Sequence, residues 1–118
     1  MTYQQRAKEL FAMIERGKLI DALEKYYHEN VIIISDEGNE RKGKSEVRKY
    51  DESFLKEIEE VFGGEILHVT SDEEKKITMV EFWINVKFKN GIKKKIQEVA
   101  VQHWEQDLII KETFYSKI

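Results

Sequence analysis

Between Met79 and Trp104 the chain runs MVEFWINVKFKNGIKKKIQEVAVQHW, two stretches of period-two alternation that meet at Asn90-Gly91. Alternation of this length is the pattern of β-strands, and an Asn-Gly pair between two such runs is a hairpin signal. Nothing else in the sequence restricts the fold as much. A hairpin with arms this long needs a larger sheet around it and another layer packed on it.

The arms leave open which side is packed. In the first arm Phe82, Ile84, Val86 and Phe88 share one face, and Glu81, Trp83, Asn85 and Lys87 share the other. In the second arm Val99, Val101 and His103 oppose Ile96, Glu98, Ala100, Gln102 and Trp104. Neither arm has a purely polar side. One arrangement puts the Phe82 row under helices and leaves the tryptophan face outside. The other turns the tryptophan face toward the helices as a partly polar pocket, and the apolar row is then covered by a second copy of the chain. Spacing alone allows both.

The helices come from the first half. Thr2 with Gln5 has the spacing of a capping box, and Ala7, Leu10, Phe11 and Ile14 follow at helical intervals up to Gly17. A short second helix is predicted from about Leu19, with Ala22, Leu23, Tyr26 and Tyr27 on one face, ending near His28 to Asn30. VIIIS then reads as a buried strand and DEGNERKG as a polar turn. From Ser45 the positions Val47, Tyr50, Phe54, Ile58, Val61 and Phe62 return to helical spacing, with Gly63-Gly64 as the stop. EILHVTS, the two hairpin arms and LIIKETFYS supply four consecutive strands. The predicted class is therefore α+β, one domain over residues 1–118, with a long antiparallel sheet from the second half covered by helices from the first.

Composition narrows the function. A chain of 118 residues supports one core. No apolar run approaches the roughly 18 residues of a membrane span, and MTYQQRAKEL lacks a secretory signal's apolar segment, so the expected compartment is the cytoplasm. The absence of cysteine removes disulfides, zinc-thiolate sites and thiol nucleophiles. A net charge of -3 with mixed signs gives no general attraction to nucleic acid. The lysines of the hairpin tip, Lys87, Lys89, Lys93, Lys94 and Lys95, read first as solubilising an edge. His28, His68 and His103 lie in three separate elements without metal-ligand spacing, and no glycine-rich phosphate loop, GxSxG or HExxH motif occurs, so no metal or cofactor is expected.

Taken together, the two leading helices running into YYHENVIIIS, the GKSEVR start of the third helix and the ending VQHWEQDLIIKETFYS resemble the nuclear transport factor 2-like superfamily. Within it, the chain is most similar to the SnoaL-like and ketosteroid-isomerase-like small proteins. Asp107-Leu108 stands where that family usually has Gly-Lys in its last tight turn. The resemblance implies a cone-shaped α+β barrel, its N-terminal helices packed on a strongly curved antiparallel sheet around a pocket. It also implies homodimerisation through the outer face of the sheet.

Aligned on the Asn-Gly turn, the family's pocket parity falls on Trp83, Asn85, Glu98, Ala100, Gln102, Trp104, Glu112 and Phe114, with Tyr26, Tyr27 and His28 near the mouth. Phe82, Ile84, Val86, Phe88, Val99 and Val101 are then the dimer face. The isomerase-like members use an Asp base, an acidic donor and a helix Tyr. Here Ser35, beside Asp36, takes the base position, Ala100 the donor position, and helix one offers only Tyr3, which counts against steroid isomerisation. The expected activity is binding of a small apolar or amphipathic molecule, contacted by Trp83, Trp104 and Phe114 and oriented by Asn85, Glu98, Gln102, Glu112 and Tyr27. The alternative is a cofactor-independent isomerase, cyclase or hydrolase with Glu98 or Glu112 as general base. A third reading is a protein-interaction module whose pocket is filled by its own side chains.

Overall fold

A computed structural model describes residues 1–117. Helix α1, Tyr3–Glu15, starts with the capping box expected of Thr2 and Gln5, each side chain bonding the other's backbone N–H. Its stripe Ala7, Leu10 and Phe11 is buried. Helix α2, Leu19–Tyr26, buries Ala22, Leu23 and Tyr26. It ends two residues earlier than the sequence pattern implied, so that Tyr27 opens strand β1, Tyr27–Ile34. Strand β2, Glu40–Lys42, is a short edge formed within the segment expected to be a polar turn.

Helix α3 runs Lys44–Glu57 and strand β3 Ile58–Asp72, which corrects the reading of residues 58–62 as helix and of Gly63-Gly64 as its stop. Ile58, Val61 and Phe62 are β-branched or aromatic, and pairing with the neighbouring strand outweighs a helical spacing that continued only by coincidence. The glycine pair lies inside the strand. A Cβ on Gly64 would stand 3.2 Å from the Trp83 carbonyl oxygen, so the close approach of the two strands there needs glycine.

Strands β4, Ile77–Phe88, β5, Lys93–Glu105, and β6, Leu108–Ser116, complete a six-stranded sheet in the order β2-β1-β6-β5-β4-β3. It is mixed rather than wholly antiparallel, because β1 and β6 run parallel, and it stays open with β2 and β3 as its edges. The core lies between its concave face and the three helices, around Leu10, Leu23, Tyr26, Val31, Trp104 and Ile109.

The β4–β5 turn decides the faces. The Phe88 N–H donates to the Ile92 carbonyl over 2.8 Å and the Gly91 N–H to the Phe88 carbonyl over 2.9 Å, which encloses a three-residue loop. Gly91 has φ of 90°, whereas Asn90 is not among the described residues with positive φ. This is the three-residue loop with glycine in the left-handed position, not a two-residue type I′ turn, which requires positive φ at both central residues. One extra loop residue changes the parity of the register, and a one-residue slip exchanges the faces of a strand. Phe82 consequently pairs with Glu98, Ile84 with Ile96 and Val86 with Lys94.

The placement of Phe82, Ile84, Val86 and Phe88 on an outer dimer face is therefore overturned. Val86 is fully buried, Phe82 packs on Phe11 with ring centroids 5.5 Å apart, and Phe88 meets Phe54 at 6.2 Å. The outer face is formed by Met79, Glu81, Trp83, Asn85, Val99, Val101 and Tyr115, so Val99 and Val101 lie where they were expected.

Candidate functional site

The space between the sheet and the helices holds a cavity of about 1060 Å³. Its apolar walls include Phe11 and Leu23 from the helices and Phe82, Ile84 and Phe114 from the sheet. Glu98, Glu112 and Tyr27 border it as polar groups. Trp83 and Asn85, assigned to the pocket from the sequence, stand on the opposite side of β4, for the loop reason given above. Trp83 borders the cavity only beside the side-chain-free pair Gly63-Gly64, with the Lys95 Nζ 4.8 Å from its ring, and Asn85 does not border it.

Gln102 and Trp104 face inward as expected but lie behind the cavity wall, in a continuous polar chain. The Trp104 indole N–H donates to the Thr78 hydroxyl over 2.8 Å, and that hydroxyl donates to the Gln102 Oε1 over 2.7 Å. The Gln102 amide donates to one Glu112 oxygen over 2.7 Å, and the Tyr27 hydroxyl donates to the other over 2.6 Å. Every member is buried, and every donation points toward Glu112. Such a chain is favourable in a low-dielectric interior only when fully satisfied. Here each buried group has a partner.

Three strands and one strand entrance build this arrangement. Thr78 on β4, Gln102 on β5 and Glu112 on β6 occupy directly opposed positions across the sheet, and Tyr27 comes from the start of β1. Burial pushes the Glu112 carboxyl up to about 7, against the lowering effect of its bonds from Tyr27 and Gln102. Burial likewise raises the Tyr27 hydroxyl well above its ordinary range, with the Glu112 charge adding to the effect. A carboxyl poised near neutrality can give or accept a proton at physiological pH. Glu98, half-buried toward the cavity mouth, is raised by burial and by the charge of Asp36 and lowered by Lys94.

Asp51 was not singled out from the sequence. It lies on the inner side of α3, four residues after Val47 and three before Phe54, and borders the cavity. Burial raises it to about 6, with Arg41 acting in the opposite direction. The signal was present: a carboxylate inside the apolar stripe Val47, Phe54 of an amphipathic helix departs from the pattern around it. Tyr26 is buried beside Trp104 rather than at a mouth, with ring centroids 6.0 Å apart, and His28 is not among the cavity's lining. Among the described residues no group of three or more His, Asp or Glu is placed to hold a metal ion. No helix is long and apolar enough to cross a membrane.

The architecture has close counterparts among solved structures. A candidate SnoaL-like polyketide cyclase from Mesorhizobium loti superposes with a TM-score of 0.85 at 22% identity, covering 98% of this chain and 99% of that one. An NTF2-like protein of unknown function from Burkholderia pseudomallei gives 0.81 at 16% identity, over 99% and 92%. The fold is that of the nuclear transport factor 2-like proteins. A candidate isomerase from Bacillus subtilis adopts the same fold, with a TM-score of 0.81 at 16% identity over 99% of this chain and 90% of its own. The resemblance read from the sequence thus holds at the level of the nuclear transport factor 2-like fold. No family model and no curated protein matches the sequence.

Proposed function

We propose that the chain is a small-molecule-binding protein of SnoaL-like type, whose cavity takes a small apolar or amphipathic ligand. One observation carries this reading: an apolar cavity of about 1060 Å³ that reaches a buried, fully satisfied polar chain ending at Tyr27 and Glu112. Ligand sites are typically apolar hollows with a few oriented polar groups. A volume of this size counts against a module filled by its own side chains. Phe11, Phe82 and Phe114 contact the apolar body, and Glu112, Tyr27 and Glu98 orient a polar group. A titration of the isotopically labelled protein with n-octanol tests it. Amide shifts should concentrate on Leu23, Phe82 and Phe114, and shifts confined to the outer face of the sheet would overturn the reading.

A second reading is favoured by the Glu112 carboxyl standing near 7. On it the protein is a cofactor-independent enzyme, an isomerase, cyclase or hydrolase, with Glu112 as general base and Tyr27 holding the carboxylate in place. Structural neighbours named as candidate cyclase, isomerase and hydroxylase are consistent with chemistry on this scaffold. The scaffold alone does not choose the reaction. For any substrate turned over, the rate should rise through an inflection near pH 7 that Glu112→Gln removes. A profile unchanged by that substitution would sink the assignment of the base.

The expected homodimer is retained as part of the proposal, with its interface moved to Met79, Trp83, Val99, Val101 and Tyr115. Of these, Met79 is 44% and Tyr115 60% exposed in the single chain.

A further inference from the structure

We infer that Asp51 selects the ligand of this cavity, and that the ligand carries an ammonium group on an apolar body. The inference rests on the cavity being a ligand site, as proposed above. Asp51 projects from the face of α3 that also carries Val47 and Phe54, so its carboxylate stands among apolar neighbours. Among the described residues no side chain donates a hydrogen bond to it and no cation lies within ion-pair distance. Asp51 is partly buried. A carboxylate is purely an acceptor, and one partly drawn out of water without a donor is destabilised.

Glu112, the fully buried carboxylate of the cavity, already has its donors. Both Glu112 oxygens accept bonds, from Tyr27 and from Gln102. Arg41, the cation nearest in effect to Asp51, lies with its guanidinium 3.4 Å from the centroid of the Tyr50 ring. Glu98 lies nearer the mouth with Asp36 and Lys94.

The charge around Asp51 fixes the ligand's sign. Glu112 of β6 and Glu98 of β5 face the same space with Asp51, and around the whole cavity acidic side chains outnumber basic ones by eight to four, the basic ones being Arg41, Lys94, Lys95 and Lys117. A carboxylate or phosphate ligand would meet like charge. An ammonium supplies up to three donors and no acceptor, which is what an acceptor-only group without a partner lacks. Its apolar body would lie against Phe11, Phe54, Phe82 and Phe114. Burial holds Asp51 at about 6, as expected for a carboxylate lacking a counter-ion, and a bound ammonium would lower it.

The test is calorimetric titration of the full chain at pH 7 with three probes of one chain length: n-octylamine, n-octanol and n-octanoate. The amine should bind roughly tenfold or more tightly than the alcohol, the increment of one charge-assisted bond, and octanoate should bind weakest. In Asp51→Asn the amine should lose most of its advantage over the alcohol, and an unchanged circular dichroism spectrum shows that the variant is folded. Amine affinity should drop between pH 7 and pH 5, as Asp51 takes up a proton. Equal binding of amine and alcohol to the wild type, or a preference for amine that survives in Asp51→Asn, overturns the inference while leaving the cavity as a ligand site. Failure of all three probes to bind overturns both.

Discussion

At the scale of single residues, Glu112 links the site to stability. Its carboxyl, near 4.5 in an unfolded chain, is raised by burial to about 7, so the folded protein holds this proton more tightly. The associated stabilisation is complete below about pH 4.5 and is lost as the pH climbs to 7 and beyond. At about 1.4 kcal/mol per pKa unit, raising the pH from 5 to 8 should cost on the order of 2–3 kcal/mol through this group. Asp51, raised to about 6, acts with the same sign over a narrower window. His103, whose proton affinity burial lowers, acts in the opposite sense, so the informative comparison is with Glu112→Gln, where its effect cancels. Thermal unfolding from pH 5 to 8 should show a steeper decline in wild type than in that variant. Parallel curves would mean that Glu112 does not titrate in this range. Alternation grouped Glu98 with its face of the strand but left that face unassigned, and the family resemblance supplied the inward side for Glu98, Glu112 and Phe114, where the ladder places them. Asp51 was passed over because a helix stripe is read for its apolar members, and a single carboxylate within it looks like an interruption.

At the scale of elements, the hairpin shows where pattern reading stops. Both arms were correctly read as strands, since alternation depends only on the arms themselves. Their relative faces depend on the parity of the loop, and Asn-Gly fits both a two-residue and a three-residue loop. The structure makes the choice visible in Gly91, whose φ of 90° an L-residue adopts only with strain, although nothing lies within 4 Å of a Cβ placed there. Gly91→Ala should therefore destabilise by about 1 kcal/mol through the backbone alone, measured by chemical denaturation. A neutral result would argue for a different loop. The mirror case is Gln106, at φ 55° in the β5–β6 turn, where Gln106→Gly should stabilise by up to about 1 kcal/mol. The corrected faces also predict a contrast between the two sides of β4. Phe82→Ala, which opens the packing on Phe11, should cost about 2–4 kcal/mol and change octanol binding, whereas Asn85→Ala, on the outer face and away from the cavity, should leave binding as it was. If Asn85→Ala abolished binding instead, the register of β4 would be wrong.

At the scale of the whole molecule, the outer face of the sheet is the surface that a second copy would cover. Sedimentation should report a dimer, and Val101→Glu, at the middle of that face, should yield a folded monomer. A wild type that sediments as a monomer at micromolar concentration would remove the interface from the account. Layer order and class were legible in the sequence because the two periodicities occupy different halves of the chain, overlapping only at residues 58–62, where helical spacing ran on into β3. The parallel pairing of β1 with β6 was not, since it joins segments about eighty residues apart and leaves no local trace. That pairing governs how the molecule comes into being. The last of the six strands in chain order occupies the middle of the sheet, between β1 and β5, and it alone brings Glu112 to Tyr27. Until β6 is inserted, a nascent chain exposes two unpaired strand edges and has no acidic floor to its cavity. It is then at its most adhesive and without the site. Among the described strands, β6 is thus the one whose insertion both closes the gap in the sheet and completes the polar chain.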